Sequence, residues 1–143
     1  MGHISLDQAR TIIAAALAHG RQLGLKPLSV AVLDSGSHLI AFERQDGSST
    51  LRAQIATGKA AGALALGLSS RRIGEMAAER PSFVASLGTI APAGLIPAAG
   101  GVIVVDEAGR AIGAVGVTGD TSDNDELCAL AGIAAAKLKA QDA

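Results

Sequence analysis

A chain of 143 residues is the size of one domain and can bury a core without disulfides or a structural metal, so a single domain over residues 1–143 is expected. Apolar residues make up 49% of the chain but aromatic ones only 1%, so Ala, Leu, Ile and Val must fill the interior, with 18 glycines allowing backbones to approach closely. The 12 basic and 13 acidic side chains give a net charge of -1, which supplies no cationic footprint for nucleic acid or anionic lipid; with no Trp or Tyr, only Phe42 and Phe83 could stack on a base.

Cys128 is the only cysteine, which excludes an internal disulfide and a cysteine-based zinc cluster and fits a reducing compartment. Met1 to Leu6 shows no cationic segment leading into an apolar one, and no run of about 18 uninterrupted apolar residues occurs. A cytoplasmic protein with no membrane partner is expected.

Ser5 and Gln8 form a capping box, after which Leu6, Ala9, Ile13, Ala16, Leu17, Gly20 and Leu23 recur on one side of a helix that Gly24 and Pro27 stop. Leu28 to Leu33 and His38 to Arg44 read as extended runs around Asp34-Ser35-Gly36-Ser37, a β-hairpin. Ser48 to Gly67 reads as a helix with a side-chain-poor stripe of Ala53, Ala56, Ala60, Ala63 and Gly67. Its internal Gly58, Gly62 and Gly67 each lower helix propensity by about 1 kcal/mol, which implies a steric reason for them; close packing there predicts self-association. Ser69 to Ala78 reads as a further helix, Pro81 to Ser86 as a short turn, and Gly88 to Gly101 as a long loop.

Val102 to Val105 and Ala111 to Val117 form a second hairpin, in which Val102, Val104, Asp106 and Ile112 repeat Val30, Val32, Asp34 and Ile40 at a constant offset. Ser122 is the expected cap of a last helix from about Asp123 to Leu138, with Leu127, Leu130, Ala131 and Ala134 as its buried face. The order helix, hairpin, helices, hairpin, helix predicts an α+β fold: a central antiparallel sheet of two hairpins flanked by helices.

Val30 through Leu39, Phe42 through Gly47 and Ala56 through Ala60 resemble the first half of the GlcG/HbpS family; Gly94-Leu95-Ile96-Pro97, Gly100-Gly101-Val102, Ile112 through Gly119 and Asp125 through Gly132 resemble its second half. The resemblance covers nearly the whole chain and implies a profilin-like or PAS-like layer, assembled from dimer to octamer. It also implies a small-ligand-binding role with haem, or alternatively a corrinoid, as cofactor. Gln45 and Arg52 stand where members often carry Met and Ser.

His19, at the edge of the first helix's apolar stripe beside Ile12, could serve as axial ligand to a haem iron; the alternative is a histidine answering the helix dipole. His38, Ile40, Phe42 and Arg44 alternate onto one strand face, where His38 could ligate iron or move a proton as a catalytic base and Arg44 could hold a carboxylate; otherwise His38 completes the turn and Arg44 pairs with an acid. Arg52 and Lys59 could present two cations to propionates, or lie on a solvated face. Gly100 and Gly101 could bring amides to an anion or simply form a tight turn. Asp120, Asp123, Asp125 and Glu126 are read as helix-capping carboxylates, and Cys128 as a packing residue. Besides a binding module, the residues admit a small catabolic isomerase, dehydratase or lyase acting on an organic acid, or an accessory subunit of a pathway enzyme.

Overall fold

The computed structural model describes residues 2–141. Along the chain run α1 (Leu6–Gln22), β1 (Ser29–Asp34), β2 (Leu39–Arg44), α2 (Arg52–Leu66), α3 (Ser70–Glu79), α4 (Pro81–Leu87), β3 (Gly101–Val105), β4 (Ala111–Thr118), α5 (Ser122–Ala135) and β5 (Lys139–Ala140). The strands form one sheet in the order β2-β1-β4-β3-β5, antiparallel at every pairing. The expected α+β architecture of two hairpins flanked by helices is therefore present, the hairpins joining through β1 and β4.

Alternation along the strands sends side chains to two separate cores. Val30, Val32, Val102, Val104, Val115 and Val117 pack against Ile12, Ile13 and Ala16 of α1 and Cys128, Ala129 and Ile133 of α5. Leu33, Ala114 and Ile103 point the other way, onto Ala60, Ala61 and Ala63 of α2. The helices α1 and α5 thus cover one face and α2 the other. Glycine makes the second contact close: a Cβ on Gly116 would strike the Ala56 carbonyl, and one on Gly101 the Lys59 carbonyl.

The two hairpins agree beyond their apolar pattern. Asp34 Oδ1 accepts from the amides of Gly36 and His38, and Asp106 Oδ1 from those of Ala108 and Arg110, every distance being 2.9 Å. The left-handed turn position is Ser37 (φ 67°) in one and Gly109 (φ 82°) in the other. Even the register shifts correspond, between Val32 and Leu33 and between Val104 and Val105.

Several boundaries and faces differ from expectation. The helix α2 starts at Arg52, after a turn, and Pro81–Leu87 is a helix entered by proline. The α2 stripe does not await a partner subunit. Ala56, Ala60 and Ala63 are spent on the sheet, Gly58 and Gly62 face Ile96 and Leu95 of the long loop, and Gly67 (φ 71°) is the left-handed C-cap.

Thr121, not Ser122, caps α5, accepting from the Asn124 amide, and the helix ends at Ala135 so that Lys139–Ala140 can add a short strand to the β3 edge. The buried face of α5 is Asp125, Cys128, Ala129, Gly132 and Ile133, while Leu127 and Leu130 are exposed at 48% and 38%. Closeness decides this: a Cβ on Gly132 would meet the Ile12 carbonyl, so the side with the smallest residue faces α1 and the leucines turn outward.

Candidate functional site

The two central histidines have different surroundings. His38 closes the first hairpin: its Nδ1 lies 3.2 Å from both Asp34 carboxylate oxygens, and its side chain is 81% exposed. The amide of His38, then that of Gly36 and the His38 ring, hold the Asp34 carboxyl below its ordinary value against a smaller opposing effect of burial. His38 and Arg44 do not share a pocket, because they stand six positions apart along extended chain, about 20 Å. The bulge also breaks the expected alternation: Ile40 packs with the α1/α5 core, whereas Phe42 and Arg44 pair with Ala31 and Ser29 on the α2 face.

His19 is half-buried in the last turns of α1. It lies on the helix flank of Ile12, which meets Gly132 of α5, and of Leu23, which is 48% exposed. Among the described residues no hydrogen bond holds its ring.

Lys59 faces neither a ligand surface nor solvent, correcting both readings made of it. At 3% exposure it runs under Gly100 to donate to the Val117 carbonyl at 2.9 Å and to Asp125 Oδ2 at 3.2 Å. Burial lowers the affinity of its amine for the proton, Asp125 restores part of it, and nearby Arg52 adds to the lowering. Asp125 Oδ1 accepts from the Asp120 amide, so this carboxylate ties α2, the end of β4 and α5 together instead of serving as a surface cap.

The adjoining glycines serve that crossing. A Cβ on Gly100 (φ 129°) would hit Val117 O and Lys59 Nζ, and the Gly101 amide already donates to Ser70 Oγ at 2.6 Å. Gly101 therefore has no amide to offer an anion. The other carboxylates near α5 are also engaged: Asp120 accepts from the Lys26 amide and from Asn124, while Asp123 and Glu126 pair with Arg71. Cys128 is fully buried, and its thiol is pushed up to about 11, mainly by burial.

One end of the sheet gathers polar groups on the α2 face. Arg44, Ser29 and Thr118 are in register across β2, β1 and β4, and Arg52 Nη1 donates to Thr118 Oγ1 at 2.7 Å. Arg44, on the edge strand, also borders an open recess of about 500 Å³ between α1 and β2, lined further by Leu17, Arg21, Leu25, Pro27, Glu43 and Asp46. Leu17 and Arg21 lie on the flank of α1 away from His19.

The family model described as "Haem degrading protein HbpS-like" matches residues 4–134. The chain belongs to the HbpS-like family. Among solved structures, HbpS is 28% identical over 94% of this chain and 90% of its own, with a TM-score of 0.80. Klebsiella pneumoniae protein ORFY is 25% identical over 94% and 90%, TM-score 0.83. A PduOC:heme complex shares the fold at TM-score 0.86 over 98% and 99%, at 19% identity. No curated protein matches the chain. No helix among the described residues of this HbpS-like protein is long and apolar enough to cross a membrane.

Sequence reading missed three residues that organise this region. Asp125 lies among the acids that open the last helix, and nothing local marks it as the partner of a lysine 66 residues away. Ser70 and Ser29 resemble ordinary polar residues at the start of an element. A signal was available only for Lys59, whose position among Ala56, Ala60 and Ala63 places a cation on a packing face.

Proposed function

We propose that this HbpS-like chain is a haem-associated small-ligand-binding protein that acts as a homo-oligomer and offers His19 to the haem iron. The observation carrying this reading is the contrast between the histidines: His38 is clamped by Asp34 in a turn, whereas His19 is half-buried with an imidazole that no described residue engages. Such a ring needs little reorganisation to bind a metal, and the exposed Leu23 one turn on supplies apolar surface for a porphyrin edge. Haem would supply the redox and ligand-exchange chemistry of its iron. The chain's contribution is to orient the imidazole and to cover one porphyrin face.

The propionate partners need revision from the sequence expectation. Lys59 is committed to Asp125, and Arg52 lies across the sheet from α1, so within one subunit neither can reach a porphyrin on His19. The outward Leu127 and Leu130 of α5 form the apolar surface that subunit association would cover.

Hemin titration tests the assignment. Wild type should show a saturable Soret shift at one haem per chain or per symmetric pair of chains, His38→Ala should match it, and His19→Ala should lose it. Equal spectra for wild type and His19→Ala would reject the assignment, and a shift with cobalamin but not hemin would transfer the reading to a corrinoid.

A further inference from the structure

We infer a second binding site, for a small oxyanion such as a carboxylate or phosphate group, at the sheet end beneath the N-terminus of α2. Ser29 is the starting observation: it is fully buried, and its Oγ has no hydrogen-bond partner among the described residues. An unsatisfied buried hydroxyl costs free energy, and one at the edge of a cationic cluster has an obvious use. It shares the α2 face with Ala31 and Leu33, and its register neighbours on either side are Arg44 and Thr118. Adjacent strands are about 4.8 Å apart, so these three positions fall within about 10 Å.

The charge above that row is unbalanced. Arg52, in the first turn of α2, reaches down to Thr118 Oγ1, and no carboxylate among the described residues forms a salt bridge with Arg52 or Arg44. The nearest buried acid, Asp125, is held by Lys59. The 15-residue α2 also begins without a side-chain cap at Leu51 and without an acidic residue in its first turn, leaving its positive end uncompensated. Ser48, in the turn that leads into this helix, also has a buried Oγ without a hydrogen-bond partner among the described residues. Two hydroxyl donors, a guanidinium that can turn from Thr118, and an open helix terminus make a donor set with no acceptor among them except the hydroxyls themselves. An oxyanion, with acceptors only, complements it.

This site is on the sheet face opposite His19 and does not rest on the haem reading. The test uses the full-length apo-protein and calorimetric titration with sodium phosphate and, separately, sodium acetate, with sodium chloride at matched ionic strength as reference. Saturable binding of either anion is expected, the tighter one identifying the headgroup. Arg52→Gln should weaken it by about tenfold or more, and Ser29→Ala and Thr118→Val by smaller factors, with circular dichroism unchanged. His19→Ala should leave anion affinity unaltered whatever it does to haem. Titrations no different from chloride, or undiminished affinity in both Arg52→Gln and Ser29→Ala, would overturn the inference.

Discussion

Ser37 and Gly109 occupy equivalent positions in two nearly identical turns, yet only the glycine is free of Cβ strain at positive φ. A left-handed non-glycine costs about 1–2 kcal/mol, part of which glycine returns as backbone entropy in the unfolded chain. Ser37→Gly should therefore raise stability by about 0.5 kcal/mol in urea unfolding, since the Asp34 hydrogen bonds do not involve the Ser37 side chain. Asp120 makes a second residue-scale prediction. Asn124 and the Lys26 and Thr121 amides hold its carboxyl at about 2, against an ordinary 3.8. A lowered folded-state value means that the ionised group favours the fold above about pH 4, and that this contribution fades as pH falls toward about 2. Asp120→Asn should accordingly be less stable at neutral pH and show a shallower acid limb between those values.

At the scale of elements, strands were legible because turn chemistry is local. Asp34 and Asp106 announce their hairpins through amides two and four residues on, and both pairs of strands follow. Helix faces were less legible wherever close approach outweighed hydrophobicity. On α5, Leu127 and Leu130 carry the stronger apolar signal, but Gly132 lets the backbone of α1 come nearer, and backbone proximity selected the buried side. The same limit hid the Lys59–Asp125 pair, whose members come together only when α2 and α5 meet the end of β4. Removing one partner of a buried ion pair strands the other charge. Lys59→Met should cost about 3–5 kcal/mol, and adding Asp125→Asn should recover much of that loss in the same urea experiment.

For the whole molecule, the residue order revealed the layering and the family, but not which candidate residues each sheet face receives. His38 and Arg44, grouped in sequence, lie at opposite ends of β2, whereas Arg52 and Lys59 stay near one another but spend their donors on Thr118 and on Val117 and Asp125. The His19 ring is set apart by having no hydrogen bond from a described residue, which no sequence pattern displays. The α2 stripe is used inside the subunit, so the proposed association falls to the exposed leucines of α5. Leu127→Glu with Leu130→Glu should reduce the light-scattering mass of the wild-type assembly while leaving the helical spectrum unchanged.

Ligation of haem iron by His19 is most directly tested by chemical rescue. The account predicts that His19→Gly mixed with hemin lacks the wild-type Soret band and regains it when imidazole is added, because the small molecule restores the missing ring to its cavity. A His19→Gly protein that shows the wild-type spectrum without imidazole would contradict it.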